Sequence, residues 1–382
     1  MKILMVTTGY PRSSSDLSGI FIKRLALALA RTGAKITVLA PGDPFVKLKE
    51  WDNGIRIVRF YYAPRFFMRI AYGNGGIPEN LRRLPWLFLI LPFFLISLII
   101  YTIVLARDCD VLHVNWLPTA LFSLPAKTIR RKPMVVTIRG MDFKKGISTF
   151  DSLILKTADA ITTINQKWAE DIKEKIGGEV FYTPNGVSVF GNCIDLRKKF
   201  WINSDKIVVL YVGVLSLRKG ADLLARVAKL SIDKNSMIQF LVVGPGDPKE
   251  FGLSEVPNVT YAGLLPPDDI LGLYAQCDIF ALPSRHEGRP NSLLEAMASG
   301  LPSVATNLPG VIEILNNETG IIVDKENPQA FSEAILELAQ NQERRRMMGQ
   351  KAKSRIKELS LDWETCANNY FRIFKEVMLC AE

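Results

Sequence analysis

Histidine is the scarcest reactive residue type in this chain of 382 residues: there are two, His113 and His286. A metal centre built on histidines is therefore not expected. Cysteine is nearly as sparse. Cys109, Cys193, Cys277, Cys366 and Cys380 are widely spaced, with no Cys-x-x-Cys pair. That spacing argues against a disulfide frame or a zinc site and points to reduced thiols in a cytosolic setting. No Asp-x-Asp pair stands near the strand ends expected to line a ligand cleft, so the reading includes no metal and no separate cofactor. The opening apolar run, Met1 to Thr8, is too short for a secretory leader and reads as a buried first strand. No recognised nucleic-acid module or stacking platform is present either, so nucleic acid is not an expected partner.

What is abundant is positive charge, and it is unevenly placed. The net charge is +10. Residues 1–185 hold 26 Lys and Arg against 14 Asp and Glu, while residues 186–382 hold 22 against 24. A basic half joined to a near-neutral one implies that one half faces something anionic. An acidic membrane leaflet fits that description.

The hydrophobic pattern alternates strand-like and helix-like runs. Ile3 to Thr7 reads as a strand, Gly9 to Gly19 as a loop, Ile20 to Thr32 as an amphipathic helix ended by Gly33, and Lys35 to Ala40 as the next strand. Such βαβ units build parallel sheets that bind ligands at the carboxyl ends of their strands. Further strands are expected at 55–60, 111–115, 134–137, 160–163 and 179–182. After the turn Thr183-Pro184-Asn185-Gly186-Val187 a second series begins, with strands at 206–212, 238–243, 259–262, 279–282, 302–306 and 320–323. Residues 328–356 and 363–380 read as helical. The predicted fold is α/β: a Rossmann-like domain over 1–185, a second over 186–362 facing it across a cleft, and a C-terminal helix, 363–382, crossing back onto the first.

One segment interrupts the pattern. Leu84 to Ala106 carries no charge over more than twenty residues, formally enough to span a bilayer. A span would place strands of one sheet on opposite sides of the membrane, and Pro85 and Pro92 would break or kink it. Arg65, Arg69, Arg82, Arg83 and the Arg130-Arg131-Lys132 run share its half of the chain. Shallow monotopic insertion from the cytoplasmic face is the expectation, with an ordinary core helix and a true span as the alternatives.

The most informative stretch is His286 to Gly300. Glu287 and Glu295 stand eight positions apart, separated by a turn containing Gly288 and Pro290, and an apolar helix pattern begins near Leu293. An acid at each end of a turn into a helix suits a ligand with two separate sets of hydroxyls. Free backbone N–H groups near Asn291, Ser292 and Leu293 suit a phosphate. A nucleotide diphosphate-sugar carries both kinds of group.

These residues resemble the E-x7-E hallmark of the retaining GT-B glycosyltransferases of family 4, and the resemblance extends over nearly the whole chain. It implies that Glu287 contacts donor-sugar hydroxyls, Glu295 the ribose, and Gly288 and the Asn291–Leu293 backbone the sugar or phosphates. Gly213 to Gly220 is similar to the family's G-R-x(n)-K-G loop. Lys219 matches the Lys that neutralises the diphosphate, whereas Val214 stands where an Arg is usual. Arg218 could supply that charge. Gly244-Pro245-Gly246 sits where relatives place a turn near the base, and Asn307 to Glu313 resembles the G-x-x-E segment.

In the first half, Ser18 and Gly19 precede the first long helix, like the family's glycine loop against pyrophosphate and acceptor. Asp110 to Asn115 resembles the D-x-x-H-x-H strand end, with Asn115 replacing the second His. His113 either faces acceptor or sugar or is a hydrogen-bonded core residue. In Thr137-Ile138-Arg139-Gly140-Met141-Asp142, Arg139 replaces the usual His; it either binds an anionic acceptor or forms a structural salt bridge. The expected activity is transfer of a sugar from a nucleotide diphosphate-sugar to an acceptor hydroxyl, with retention, on a lipid-linked or cell-envelope glycan. Lys219, Arg218, Glu287 and His113 are the catalytic candidates. The alternatives are a GT-B nucleotide-sugar epimerase or a catalytically idle, membrane-associated protein that binds sugar nucleotides.

Overall fold

A computed structural model describes residues 1–72, 76–139, 146–189, 191 and 195–380. Cys193, the Gly140-Met141-Asp142 part of the Arg139 segment and the last two residues of the expected C-terminal helix lie outside this set. The chain divides into two compact units. The first comprises Met1–Gly186 with Trp363–Glu382, and the second Val187–Asp362.

The sheet of the first unit contains β1 (Lys2–Val6), β2 (Lys35–Pro41), β3 (Lys49–Asp52), β4 (Ile55–Phe60), β5 (Val111–Asn115), β6 (Met134–Ile138), β7 (Ala160–Thr163) and β8 (Val180–Tyr182). Their order is β3-β4-β2-β1-β5-β6-β7-β8. All neighbours are parallel except β3, which pairs antiparallel with β4. Side chains alternate across this sheet with period two. Leu4 and Val6 of β1 enter one apolar layer with Leu112, Val114 and Val136. Ile3 and Met5 enter the opposite layer with Val111, Val135 and the helical residues Leu25, Leu29, Tyr370 and Phe374. Burial on both faces explains why these strands read as near-continuous apolar runs. The C-terminal helix Trp363–Leu379 belongs to this unit, packing on Ile20–Arg31.

The apolar run 84–106 is not one helix. A short 3₁₀ turn, Pro85–Leu89, precedes a helix at Leu91–Ala106. Pro92 falls in that helix's first turn, where its missing N–H is harmless. One stripe of the helix (Phe94, Leu98, Thr102, Ala106) is buried. The opposite stripe is also apolar but open: Phe93, Ile96, Ile100 and Val104 are 53–62% exposed. No helix among the described residues is long and apolar enough to cross a membrane.

The second sheet is built from β9 (Ile207–Val212), β10 (Ile238–Val243), β11 (Val259–Gly263), β12 (Ile279–Leu282), β13 (Ser303–Thr306) and β14 (Gly320–Val323). The order is β11-β10-β9-β12-β13-β14, all parallel. The helical stretch 328–356 splits into Pro328–Gln340 and Gln342–Glu358. Asn341 causes the break. It takes an extended conformation, and its side chain accepts from Arg344 N, capping the second helix.

Candidate active site

The carboxyl end of β9 runs into Gly213 and a tight loop. The Ser216 side chain accepts from Lys219 N at 3.3 Å and so caps a 3₁₀ turn, Leu217–Lys219. Gly220 then turns the chain at φ 72°, and a Cβ there would lie 1.9 Å from Pro283 O. Both the left-handed conformation and the close approach require glycine. Pro283 follows β12, so this contact sets the loops after the neighbouring strands β9 and β12 against each other.

The contact brings Lys219 to Glu287. Lys219 Nζ donates to Glu287 Oε1 at 2.6 Å, and Ser284 Oγ donates to the same oxygen at 2.7 Å. The Glu287 side chain is 6% exposed and that of Lys219 18%. A pair this desolvated interacts more strongly than a surface ion pair. Tyr211 lies beneath: burial first, then the charge of Glu287, raises its pKa above the ordinary phenol value.

Arg285 staples the same loops. Its Nη1 and Nη2 reach the two Asp222 oxygens at 2.6 and 2.8 Å, and the guanidinium also pairs with Glu326. Its backbone N–H donates to Arg218 O at 2.9 Å. The hydrogen bonds from Arg285 hold Asp222 and Glu326 below their ordinary carboxylate pKa values. Arg285 was missed by the sequence reading, although a cation two positions before a site glutamate was a usable signal. Arg218 itself is exposed and forms no ion pair among the described residues.

The ends of β9 and β10 meet through glycines. Gly244 has φ 141°, and a Cβ on it would lie 1.9 Å from Gly213 O. The Tyr261 hydroxyl, 2.9 and 2.8 Å from Gly244 O and Gly246 O, donates to this turn. The helix after Glu287 spans Asn291–Ala298, starting two residues earlier than its apolar pattern suggests, and no side chain caps it. Leu293, expected to offer its backbone to a ligand, is buried, and its N–H already donates to Pro290 O at 3.2 Å. Ser292 is half-buried, and Glu295 Oε2 accepts from Tyr274 OH at 3.2 Å. Gly288 O packs 2.0 Å from where a Gly310 Cβ would be, and Arg289 pairs with Glu313 at 3.5 Å. The G-x-x-E segment thus braces the glutamate loop. Glu287, Lys219, Gly213, Gly244 and the start of the Asn291 helix all lie at the carboxyl ends of one sheet, where parallel α/β sheets hold ligands.

In the first unit, Gly19 opens the helix Ile20–Arg31 at φ 68°, and a Cβ on it would lie 2.2 Å from Gly9 O. Ser18 N donates to Asp16 Oδ1 at 3.0 Å. Arg139, 6% exposed, donates to Asn115 Oδ1 at 2.6 Å and Asn185 Oδ1 at 2.7 Å, and lies 5.4 Å from the Phe21 ring centroid. The salt bridge anticipated as one alternative for Arg139 is absent among the described residues. His113 is wholly buried. It shares a 2.8 Å hydrogen bond with Thr137 Oγ1 and packs on Tyr370 and Phe374. Desolvation, then the Arg139 charge, drives its pKa well below the ordinary value. Of the two alternatives for His113, this is the core one: the ring points into the layer under the C-terminal helix, because odd-numbered residues of β5 face that side. No group of acidic, His and Cys residues able to hold a metal ion occurs among the described residues.

Two family models match this chain in tandem, glycosyltransferase family 4 over residues 18–190 and glycosyl transferases group 1 over 194–355. The chain belongs to the family 4 glycosyltransferases. An uncharacterized glycosyltransferase of Methanocaldococcus jannaschii is 24% identical over 99% of both chains. A capsular polysaccharide biosynthesis glycosyltransferase of Staphylococcus aureus is 26% identical, over 66% of this chain and 73% of that one. The structure of HepE from Anabaena in complex with UDP and glucose superposes with a TM-score of 0.74 at 17% identity, covering 98% of this chain and 100% of that one. The fold is therefore GT-B, and the protein is a glycosyltransferase. Within that family, the glutamate loop, the Lys219 loop and the glycine turns fall in one unit around one sheet. Arg139, Gly19 and Ser18 fall in the other.

Proposed function

We propose that this glycosyltransferase moves a sugar from a nucleotide diphosphate-sugar to an acceptor hydroxyl with retention of configuration. The observation that carries this reading is the half-buried Lys219–Glu287 pair, at 2.6 Å, beside the Gly213–Gly244 contact and the start of the Asn291 helix. An ammonium has three N–H groups, so Lys219 can keep Glu287 in place and still donate to a phosphate oxygen. Arg218, exposed beside it, is the second cation on the diphosphate and takes the place left by Val214. Glu287 then accepts from sugar hydroxyls and Glu295 from the ribose. The N-terminus of the Asn291 helix adds dipole stabilisation. Catalysis of this kind is mostly positioning and stabilisation of the charge on the leaving diphosphate, with that diphosphate taking the acceptor proton. The UDP and glucose in the HepE structure support a donor of this class. Incubating the purified protein with a panel of UDP-, GDP- and ADP-sugars tests the reading by thermal shift and by release of nucleotide diphosphate. At least one donor should stabilise it and be turned over; silence across the panel would remove the reading.

The proposed place of work is the cytoplasmic face of a membrane, on a lipid-linked or cell-envelope glycan, in keeping with the capsular polysaccharide biosynthesis role of the Staphylococcus relative. Phe88, Leu89, Phe93, Ile96, Ile100 and Val104 form an open apolar surface. Arg65, Arg69, Arg82 and Arg83 lie close to it in sequence. An apolar face with guanidinium groups nearby suits shallow insertion into an anionic leaflet. The protein should pellet with phosphatidylglycerol vesicles, and Phe93→Asp with Ile100→Asp should abolish this. Equal pelleting of that variant, or none by the wild type, would count against membrane docking while leaving the transferase reading intact.

A further inference from the structure

Arg139 is a cation buried without an ion pair among the described residues. Its Nε and Nη1 donate to the amide oxygens of Asn115 and Asn185, and Nη2 makes a long contact, 3.4 Å, with Tyr370 OH. The Phe21 ring covers it at 5.4 Å. All four partners are neutral, and Arg139 forms no ion pair among the described residues. Buried guanidinium groups are ordinarily paired, because desolvation of the charge is expensive. The other strongly buried arginines of the chain follow that rule: Arg59 pairs with Glu50, and Arg289 with Glu313. Arg139 departs from it.

The surroundings of Arg139 favour a negative charge. Phe21 lies in the first turn of Ile20–Arg31, whose start at Gly19 has no side-chain cap. Asn115 precedes Trp116, the residue before the helix Leu117–Arg130, which likewise has none. Two helix starts therefore share this corner with the guanidinium, at the carboxyl ends of β1, β5 and β6. Trp116 holds φ 68° and ψ 143°, a conformation strained for any residue with a side chain. The Phe21 and Trp116 rings meet edge to face at 6.3 Å. Each Nη atom carries two hydrogens and spends one on the contacts above, so the fork retains donors for a bidentate oxyanion.

We propose that this corner binds an oxyanion borne by the acceptor, a carboxylate or a phosphate, with Arg139 as its counter-charge. The proposal rests on the transferase reading and adds to it the chemical class of acceptor. Asn115 and Asn185 act as positioning residues, holding the guanidinium plane while leaving its charge unspent.

The test is a thermal-shift titration of the full chain with inorganic phosphate, glucuronate, glucose, UDP, GDP and ADP, on the wild type, Lys219→Ala, Arg139→Gln and Arg139→Lys. Phosphate or glucuronate should stabilise the wild type and Lys219→Ala alike, and glucose should do nothing. Arg139→Gln should weaken the oxyanion response at least ~10-fold while leaving the UDP response unchanged. Arg139→Lys, which keeps the charge and loses the fork, should fall between and covers the case in which the Gln variant fails to fold. An oxyanion response lost in Lys219→Ala but kept in Arg139→Gln would place the anion at the donor phosphates and overturn the proposal. So would the absence of any response in the wild type. A wild type that answers to oxyanions but to none of UDP, GDP and ADP would sink the donor reading instead. Glucuronate alone would specify a uronic acid acceptor, and phosphate alone a phosphorylated one.

Discussion

The Lys219 corner of the second unit and the Arg139 corner of the first treat their cations oppositely. In the second unit Lys219 has Glu287, and Arg285 has Asp222 and Glu326. In the first, Arg139 has two amides, a phenol and an aromatic ring. A balanced corner is held together before any ligand arrives, and a ligand must share its groups. An unbalanced corner has lost hydration of a charge without recovering an ion pair, so an incoming anion is strongly favoured there. The difference separates a pre-organised site from one that its substrate completes.

The largest effect should come from breaking the balanced corner. Glu287→Ala or Lys219→Ala should lower transfer by on the order of 10²–10³, the usual consequence of losing a charge-stabilising group. Each should also destabilise the fold by about 3 kcal/mol, since one buried charge is left alone. The double variant should recover much of that stability but none of the activity. Urea unfolding and a transfer assay measure the two separately, and simple additivity of the stability losses would refute the coupling.

Next in size is Gly220→Ala. Its φ of 72° and the 1.9 Å approach to Pro283 O leave no room for a methyl group. The substitution should cost about 1–3 kcal/mol and spread the Lys219 and Glu287 loops, weakening nucleotide binding. Gly177→Ala is the control: it has φ 71° with nothing within 4 Å. It should lose stability from backbone strain alone and keep full nucleotide affinity.

The smallest effect sharpens the comparison by pH. Asp222 and Glu326 sit below their ordinary values of 3.8 and 4.5 because Arg285 donates to them. As pH falls, the unfolded chain takes up those protons first. Their contribution is therefore complete above the ordinary values and disappears as pH drops through the folded ones. The Asp222 side chain is 32% exposed and that of Glu326 54%, so solvent screening keeps the amount small. His113 acts in a different window. Its folded pKa lies well below 6.5, so stability should begin to fall as pH drops past that value, by at most about 1.4 kcal/mol per pH unit. Melting curves from pH 7 to pH 3 should show His113→Gln flattening the limb below pH 6.5 and Arg285→Gln flattening only the most acidic part. Identical profiles for the two variants would contradict this separation.

Much of the strand framework was legible beforehand. The strands at 55–60, 111–115, 160–163, 238–243, 279–282 and 320–323 lie where the sequence reading puts them, because strands buried on both faces are short, apolar and bounded by turn residues. β3 escaped notice: Lys-Glu-Trp-Asp at a sheet edge has no apolar period, and its pairing with β4 comes from the backbone. Asn341 was read through as helix because flanking helices of good propensity hide one capping residue.

The amino-acid order alone determined the parallel α/β character, the turn glycines and the spacing of Glu287 and Glu295, since these follow from local period and backbone conformation. Only the tertiary structure decided that Lys219 donates to Glu287, 68 positions away, that Arg139 is buried with no ion pair among the described residues, and that His113 lies in the core. It also decided that one stripe of the apolar helix is left open. The physical reason is that burial and charge pairing are properties of neighbours in space, which a chain acquires when its sheets assemble and bring distant loops to the same edge.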